Sequence, residues 1–140
     1  MECNIEMNKI KFIKIPKIED NRGNLSVIEK EIVPFEIKRV YYLYDIPAGA
    51  ERGGHAHKKL QQFLVALSGS FDVTVTDGIT KQRITLSKPY EGLLIENGVW
   101  RELDNFSSGS VCLVVASDVF DEEDYIRDFD EFLNTTNGKL

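Results

Sequence analysis

A β-hairpin in the middle of the chain constrains the fold more than any other sequence feature. From Phe71 to Thr76, apolar residues alternate with polar ones, which is the pattern of a strand with one buried face. Asp77-Gly78 follows, a strong signal for a two-residue hairpin turn. Gln82–Leu86 then supplies the return strand. An antiparallel pair at this position favours a β architecture for the whole chain.

Similar short segments recur on both sides of the hairpin. They are rich in β-branched and aromatic residues and are separated by turn residues. The further predicted strands are Ile10–Ile15, Leu25–Glu29, Ile37–Tyr44, Gln62–Leu67, Gly92–Glu96 and Val111–Ala116. The glycine-rich stretch Pro47–Gly54 is predicted to be a loop. This pattern predicts an all-β antiparallel sandwich or barrel, in a single domain over residues 1–140 with a flexible leader at 1–9.

The C-terminal region is the one part predicted to be helical. Ser117 or Asp118 can cap a helix, and apolar residues from Tyr125 to Leu133 recur at three- and four-residue spacing. The stretch from Asp118 to Glu131 holds eight acidic residues and one basic residue, so we expect a solvated acidic helix. Its local charge of −7 accounts for the net −6, and the other 126 residues sum to +1. A basic pocket for a phosphorylated ligand is therefore compatible with this composition.

Several functional classes are excluded by simple patterns. The longest apolar run has six residues, against the roughly 20 of a membrane helix, and the N-terminus lacks the apolar core of a signal peptide. No cluster of basic residues is denser than Lys58-Lys59, which argues against nucleic-acid binding. The two cysteines, Cys3 and Cys112, predict no disulfide framework. We therefore expect a cytoplasmic protein that binds neither membrane nor nucleic acid.

Both histidines of the chain lie in one His55-Ala56-His57 sequence. If this segment is an extended strand, the two imidazoles lie on the same side of it. The alternative interpretation is that both histidines are exposed on a loop. The order Gly54, His55-x-His57, a polar Gln62, six residues and Gly69 resembles the first motif of the cupins, small β-barrels of the jelly-roll type.

Ligand counting argues against a metal in this chain. Metal-binding cupins carry a glutamate where this chain has Gln61 and Gln62, and a third histidine in a second motif. The corresponding segment 92–102 contains none. Two histidines without an obvious neighbouring carboxylate fall short of the usual zinc or iron ligand sets, so we expect no metal. An imidazole can instead take and give a proton near neutral pH.

Four blocks of sequence, in order, resemble the dTDP-4-dehydro-6-deoxy-D-glucose 3,4-ketoisomerases. They are Ile37-Lys38-Arg39-Val40-Tyr41-Tyr42, Arg52-Gly53-Gly54-His55-Ala56-His57-Lys58-Lys59-Leu60, Gly98-Val99-Trp100-Arg101-Glu102, and Ala116-Ser117-Asp118 with Asp121-Glu122-Glu123-Asp124-Tyr125-Ile126-Arg127. The resemblance extends from about Arg22 to Phe132. It implies a cofactor-free, metal-free cupin-type jelly-roll barrel with a short C-terminal helix, acting as a homodimer with exchanged strands. It also implies conversion of dTDP-4-keto-6-deoxy-D-glucose to a dTDP-3-keto-6-deoxyhexose, on the way to amino sugars of surface polysaccharides such as lipopolysaccharide O-antigen.

The resemblance implies catalytic roles for His55, His57 and Tyr41. The C3 proton lies beside the 4-ketone, so its removal gives an enediolate, and protonation at C4 completes the isomerisation. Tyr41 either contacts the sugar or is a packed barrel aromatic. The substrate-binding candidates are Arg22, Arg39, Arg52, Lys58, Gln62, Trp100, Arg101 and Arg127.

Several of these candidates have ordinary structural explanations as well. Arg52, Lys58 and Arg127 are the candidates for the diphosphate, but Arg127 could equally pair with Glu123 or Glu131 on one helix. Gln62 either faces the sugar or replaces the cupin carboxylate. Trp100 either stacks on the nucleotide base of the substrate or fills the core.

Arg22 and Arg101 are the candidates for setting the C4 configuration of the product. In the family that this chain resembles, an arginine at the first position accompanies the galacto product and one at the second the gluco product. Both arginines are present here, so the configuration stays open. The alternative functions are a 4-keto sugar-nucleotide epimerase and a non-catalytic sugar-nucleotide-binding cupin.

Overall fold

The computed structural model describes residues 8–137, and its elements are almost all short strands. The strands are β1 (Ile10–Lys14), β2 (Lys17–Ile18), β3 (Leu25–Ser26), β4 (Arg39–Leu43), β5 (Arg52–His57), β6 (Gln62–Ser68), β7 (Phe71–Thr76), β8 (Lys81–Leu86), β9 (Glu91–Ile95), β10 (Trp100–Asp104), β11 (Val111–Ala116) and β12 (Tyr125–Ile126). A 3₁₀ turn spans Glu122–Asp124, and one helix, α1, spans Phe129–Asn137.

Ten of these strands form two antiparallel sheets of five. Their orders are β1-β9-β6-β11-β4 and β12-β5-β10-β7-β8, and β2 pairs with β3 in a separate hairpin. The main core lies between the sheets, because its buried cluster draws Leu64, Leu93 and Val114 from the first and Val73 and Leu103 from the second. The predicted all-β antiparallel architecture with a short C-terminal helix is confirmed.

The outer face of each sheet is covered as well. On β6, Phe63 and Val65 point away from the main core and pack in a second cluster with Val33 and its apolar neighbours between residues 28 and 37. On the other sheet, Ala56 and Trp100 pack against Phe132 of α1. The alternation along each strand therefore separates a core side from a covered outer side.

The predicted acidic helix is wrong in its extent. Residues 118–128 are not α-helical, and α1 begins only at Phe129. The Asp121 side chain accepts a hydrogen bond from the Glu123 amide and caps a single 3₁₀ turn. After that turn, Tyr125 and Ile126 pair with His57 and Ala56 as a strand. Tertiary pairing with β5 thus prevails over the local helical pattern.

Other predicted boundaries also change. The predicted loop 47–54 ends earlier, because Arg52–Gly54 open β5, and the unpredicted strand β10 pairs with β5 and β7. The predicted leader 1–9 lies mostly outside the described residues, of which Asn8 and Lys9 form a turn before β1. Within residues 8–137, no helix has the length and apolar character needed to cross a membrane.

Candidate active site

A cavity of about 320 Å³ opens between the two sheets. Side chains from β4, β5, β10 and the β12 region converge on it. Its lining residues are Arg39, Tyr41, Leu43, Arg52, Gly53, His55, Arg101, Tyr125 and Arg127. Strand alternation explains the β4 contribution, because Arg39, Tyr41 and Leu43 are two residues apart and share one face. Six of the eleven predicted site residues line this cavity.

The histidine pair is buried rather than exposed on a loop. His55 is 6% exposed and His57 is 2% exposed, while Ala56 packs on the opposite side of the sheet beneath α1. The imidazole rings lie 4.8 Å apart at 84° to each other. Both imidazoles share one side of β5, as the spacing predicts, and the exposed-loop interpretation is wrong.

Two residues absent from the predicted set complete the surroundings of this pair. Tyr125 places its ring 4.9 Å from the His55 ring and 4.4 Å from the His57 ring. The Oδ2 atom of Asp124 lies 2.9 Å from His57 Nδ1. Both residues occur in the fourth sequence block, but the run of acids around Asp124 hid it within an apparently solvated helix.

Burial makes both imidazoles weak bases. Loss of hydration lowers the pKa of His55 to about 2, with the charges of Arg101, Arg127 and Arg39 acting in the same direction. Burial lowers the pKa of His57 to about 4, although the hydrogen bond with Asp124 opposes that change. Both rings are neutral at pH 7, so each keeps one nitrogen with a free lone pair. A neutral imidazole can accept a proton from a bound ligand.

Arg101 brings a buried positive charge to the same cavity. It is 2% exposed, and its Nη2 donates a hydrogen bond to the Tyr41 hydroxyl at 3.1 Å. In the described part of the chain, its Nε and Nη1 atoms have no hydrogen-bond partner, and neither does His55 Nε2. Buried donors without partners are costly, so these atoms mark where a ligand would bind.

Gly53 leaves the space that the Arg101 guanidinium occupies. Its φ is +75°, a conformation that favours glycine, and a Cβ there would lie 2.9 Å from Arg101 Nη1. The glycine therefore serves both the backbone path of β5 and the position of the guanidinium.

The remaining cations surround the cavity. The Arg39 guanidinium lies over the Tyr41 ring at 4.6 Å, and that of Arg127 lies over the Tyr125 ring at 4.1 Å. Arg127 pairs with Glu122, a different carboxylate from the two considered in the sequence. The lining contributed by the described residues holds four arginines and no acidic side chain. Such a cavity suits an anionic ligand.

Five predicted site residues lie outside the cavity lining. His57 is directly behind it, in contact with the His55 and Tyr125 rings. Gln62 is buried, and β-sheet register places it beside Ala116, whose other neighbour is Arg39. Lys58 is exposed at the end of β5.

Trp100 and Arg22 are farther from the cavity. The Trp100 ring packs against Phe129 and Phe132 on the outer side of the sheet, as the core-filling interpretation has it. The Arg22 side chain is 88% exposed at the turn between β2 and β3, where it pairs with Asp20.

Cofactor-free chemistry stays a prediction. Across residues 8–137, no group of three or more His, Cys, Asp or Glu side chains is arranged to hold a metal ion. The polar side chains that line the cavity carry the His55 imidazole, two tyrosine hydroxyls and four guanidinium groups. These groups can move protons and stabilise negative charge.

The fold and the cavity define a small cupin-type jelly-roll barrel whose cavity is lined by a buried histidine, two tyrosines and four arginines. The chain belongs to the family described as FdtA: WxcM-like, C-terminal, whose family model matches residues 8–137. This match confirms the resemblance found in the sequence.

The relatives of this chain include sugar 3,4-ketoisomerases. It is 50% identical over 123 residues to TDP-4-oxo-6-deoxy-alpha-D-glucose-3,4-oxoisomerase of Aneurinibacillus thermoaerophilus, covering 87% of this chain and 88% of the relative. The crystal structure of a 3,4-ketoisomerase from Helicobacter canadensis matches with a TM-score of 0.89 and 45% identity, covering 91% of this chain and 97% of that one. QdtA, a sugar 3,4-ketoisomerase from Thermoanaerobacterium thermosaccharolyticum solved in complex with TDP, matches with a TM-score of 0.92 and 39% identity, covering 96% and 98%.

Proposed function

We propose that this chain is a sugar-nucleotide 3,4-ketoisomerase that converts dTDP-4-keto-6-deoxy-D-glucose to a dTDP-3-keto-6-deoxyhexose. The observation that carries the proposal is a pair of neutral, buried imidazoles at an arginine-lined cavity. The 50% identity to a TDP-4-oxo-6-deoxy-glucose 3,4-oxoisomerase supports the same reaction and substrate.

The reaction needs proton transfer and no net change of oxidation state. The 4-ketone acidifies the C3–H bond, and an imidazole takes that proton to give an enediolate. A proton is then delivered to C4, so that the C3 hydroxyl becomes the ketone and the C4 ketone becomes a hydroxyl. His55 lines the cavity, and the His57 ring lies 4.8 Å from the His55 ring, which suits a base and its relay partner.

Tyr41 and Arg101 are suited to bind and stabilise the oxygens of the enediolate. The Tyr41 hydroxyl accepts a hydrogen bond from Arg101, which leaves its own proton to donate to a sugar oxygen. The buried guanidinium adds positive charge where negative charge develops, and a preformed donor of this kind stabilises the transition state more than the ground state.

We assign the diphosphate to Arg52 and Arg127, with Arg39 beside them. Guanidinium groups match phosphate oxygens in geometry, and all three line the cavity. Lys58, Gln62, Trp100 and Arg22 remain candidates for contacts that this cavity lining does not include.

We further propose a single cytoplasmic domain over residues 1–140 that acts as a homodimer with exchanged strands, in the synthesis of amino sugars for lipopolysaccharide O-antigen. The exposed apolar side chains support a partner. Val40, Tyr42 and Tyr44 are more than half exposed on and beside β4, and Ile18 and Leu25 are similarly exposed on the β2–β3 hairpin. Grouped apolar surface of this kind is typical of an interface between proteins.

Incubation with dTDP-4-keto-6-deoxy-D-glucose in deuterated buffer, followed by proton NMR of the product, tests this proposal. We expect the ketone at C3, deuterium at C4, and a C4 coupling pattern that identifies the galacto or the gluco product. A ketone that stays at C4 with deuterium at a neighbouring carbon would identify an epimerase instead. Tight TDP binding without exchange would identify a non-catalytic binding protein.

His55→Asn and His57→Asn provide the matched variants for this experiment. We expect each to lose deuterium incorporation while keeping the wild-type circular dichroism spectrum. Full incorporation in both variants would rule out the imidazoles as the proton carriers.

A further inference from the structure

Asp124 has no assigned role in the reaction proposed above, yet its carboxylate is almost enclosed. The side chain is 12% exposed. Two backbone amides and one histidine ring nitrogen lie within hydrogen-bond distance of its two oxygens. Lys59 N donates to Oδ1 at 2.8 Å, Leu60 N donates to Oδ2 at 3.3 Å, and His57 Nδ1 lies 2.9 Å from Oδ2. The carboxylate therefore ties the end of β5 to the segment before β12.

The surroundings of this carboxylate select one tautomer of His57. Two of its three partners are backbone amides, which can only donate, and an ionised carboxylate can only accept. The hydrogen bond to Asp124 therefore requires a proton on His57 Nδ1. Because a neutral imidazole carries one N–H, its lone pair is then on Nε2.

Strand register explains why Asp124 reaches His57 while neighbouring acids do not. Tyr125 pairs with His57 and Ile126 with Ala56, so the residue before Tyr125 lies beside the end of β5. The Asp124 carbonyl also accepts a hydrogen bond from Lys58 N at 2.9 Å. Asp121 instead caps the 3₁₀ turn, and Glu122 pairs with Arg127.

We infer that Asp124 is a positioning residue that holds His57 as its Nδ1–H tautomer, edge-on to His55, with Nε2 free to accept or pass a proton. A carboxylate that orients an imidazole also stabilises the ring when it becomes positively charged during transfer. The catalytic consequence rests on the proposed function, whereas the tautomer can be measured without any reaction.

Asp124→Asn is the most direct test. With its amide oxygen at the Oδ1 position, it still accepts from Lys59 N. Its NH₂ group at the Oδ2 position then loses the long hydrogen bond from Leu60 N, donates to His57 Nδ1 and favours the opposite tautomer. We expect kcat to fall by about 100-fold or more, the range that a correctly placed acid–base group contributes, with little change in KM. Asp121→Asn removes the same charge three residues earlier and keeps a capping oxygen, so we expect it to retain wild-type kcat.

Nitrogen-15 NMR of the histidine rings provides the readout that a merely structural role would not change. The His57 signals are assigned by comparison with His57→Asn. In the wild type we expect a protonated Nδ1 and an unprotonated Nε2, and in Asp124→Asn we expect the reverse. Asp124→Glu keeps a carboxylate, so partial recovery of kcat relative to Asp124→Asn would support the inference.

Two results would overturn the inference that Asp124 sets the tautomer of His57. One is an Nε2–H tautomer of His57 in the wild type, and the other is wild-type kcat with an unchanged tautomer in Asp124→Asn. If Asp124→Asn fails to fold, the wild-type spectrum alone decides. If the wild type folds but does not isomerise the substrate, the proposed function fails while the spectrum still supports or overturns the role of Asp124 in setting the tautomer.

Discussion

His55 and His57 differ from ordinary histidines because the fold removes water from both rings. Their pKa values fall to about 2 and about 4, from an ordinary value of 6.5. Burial keeps both imidazoles neutral and able to accept protons. It also links the stability of the fold to pH.

We predict that the free energy of unfolding falls between about pH 7 and pH 5. In the unfolded chain a histidine takes up a proton as pH falls below about 6.5, whereas the folded protein does not, so protons favour unfolding. The stabilisation is complete above that pH and is lost as pH falls toward the folded pKa, by about 1 kcal/mol per histidine for each pH unit. Urea denaturation between about pH 7 and pH 5 measures it.

His55→Asn and His57→Asn should each show a smaller loss of unfolding free energy over this range. An unchanged pH dependence in both variants would contradict the prediction.

A second residue-level prediction concerns Arg101. Its charge is one of the causes that lower the pKa of His55, second only to burial. Arg101→Met keeps much of the side-chain volume and removes the charge, so we expect the pKa of His55 to rise, as measured by an NMR titration. Lys81→Met, an exposed cation on β8, should leave it unchanged. A His55 pKa that does not move in Arg101→Met would show that the Arg101 charge does not contribute to it.

At the scale of elements, the segment from Asp121 to Arg127 contributes to the candidate site, although its acidic composition suggests only a solvated helix. It supplies a turn, the short strand β12, and side chains that reach both the histidine pair and the cavity. A strand of two residues suffices because β5 fixes its register.

We predict that Glu122 restrains Arg127 in the absence of substrate. The two side chains form a two-point ion pair, with Arg127 Nε to Glu122 Oε2 at 2.8 Å and Nη2 to Oε1 at 2.9 Å. Both are about half exposed, so the pair is weak and a diphosphate can displace it. Glu122→Gln should therefore tighten TDP binding a few-fold in titration calorimetry. The same gain in Glu123→Gln would show a general charge effect instead.

The helix α1 acts as a cover for the outer side of the second sheet. Phe132 is buried there against Ala56, Trp100 and Ile126. We predict that Phe132→Ala lowers the free energy of unfolding by about 3 kcal/mol, as measured by urea denaturation. Phe129→Ala should cost less, because that ring is 41% exposed. Equal losses would contradict the larger contribution that we expect from the buried Phe132 ring.

At the scale of the whole molecule, the apolar surface is unevenly distributed. β4 ends its sheet within the described residues, and the Tyr42 and Tyr44 rings contact each other on its exposed side at 5.7 Å. An unprotected strand edge with exposed aromatic side chains invites pairing with another chain. The homodimer proposed above would cover this surface.

We therefore predict that Tyr42→Asp weakens self-association. Sedimentation velocity over a range of concentrations should show a dimer for the wild type and a larger monomer fraction for the variant. Ile79→Asp also places an acid at an exposed apolar position, on the β7–β8 turn, and should remain dimeric. A wild type that stays monomeric at all concentrations would contradict both the prediction and the proposed dimer.

Much of the strand pattern could be predicted from the chain, because alternation and turn residues are local signals. The β7–β8 hairpin and the side on which His55 and His57 lie follow directly from two-residue periodicity. Strand β10 was not predicted, because its Trp100–Asp104 sequence mixes charged and apolar residues. The predicted extent of the acidic helix is wrong for a related reason. Helical spacing in the sequence holds no information about a partner strand that lies far away in the chain and competes for the same residues.

The sequence by itself determined the β class of the fold, the paired histidines and the lack of a third histidine, since residue identity and short-range spacing suffice for each. Only the tertiary structure decided which of the acidic residues from 118 to 131 reaches His57, and which arginines share its cavity. The contact between His57 and Asp124 joins residues 67 positions apart. Such contacts depend on strand register and burial, which arise when distant segments pack together.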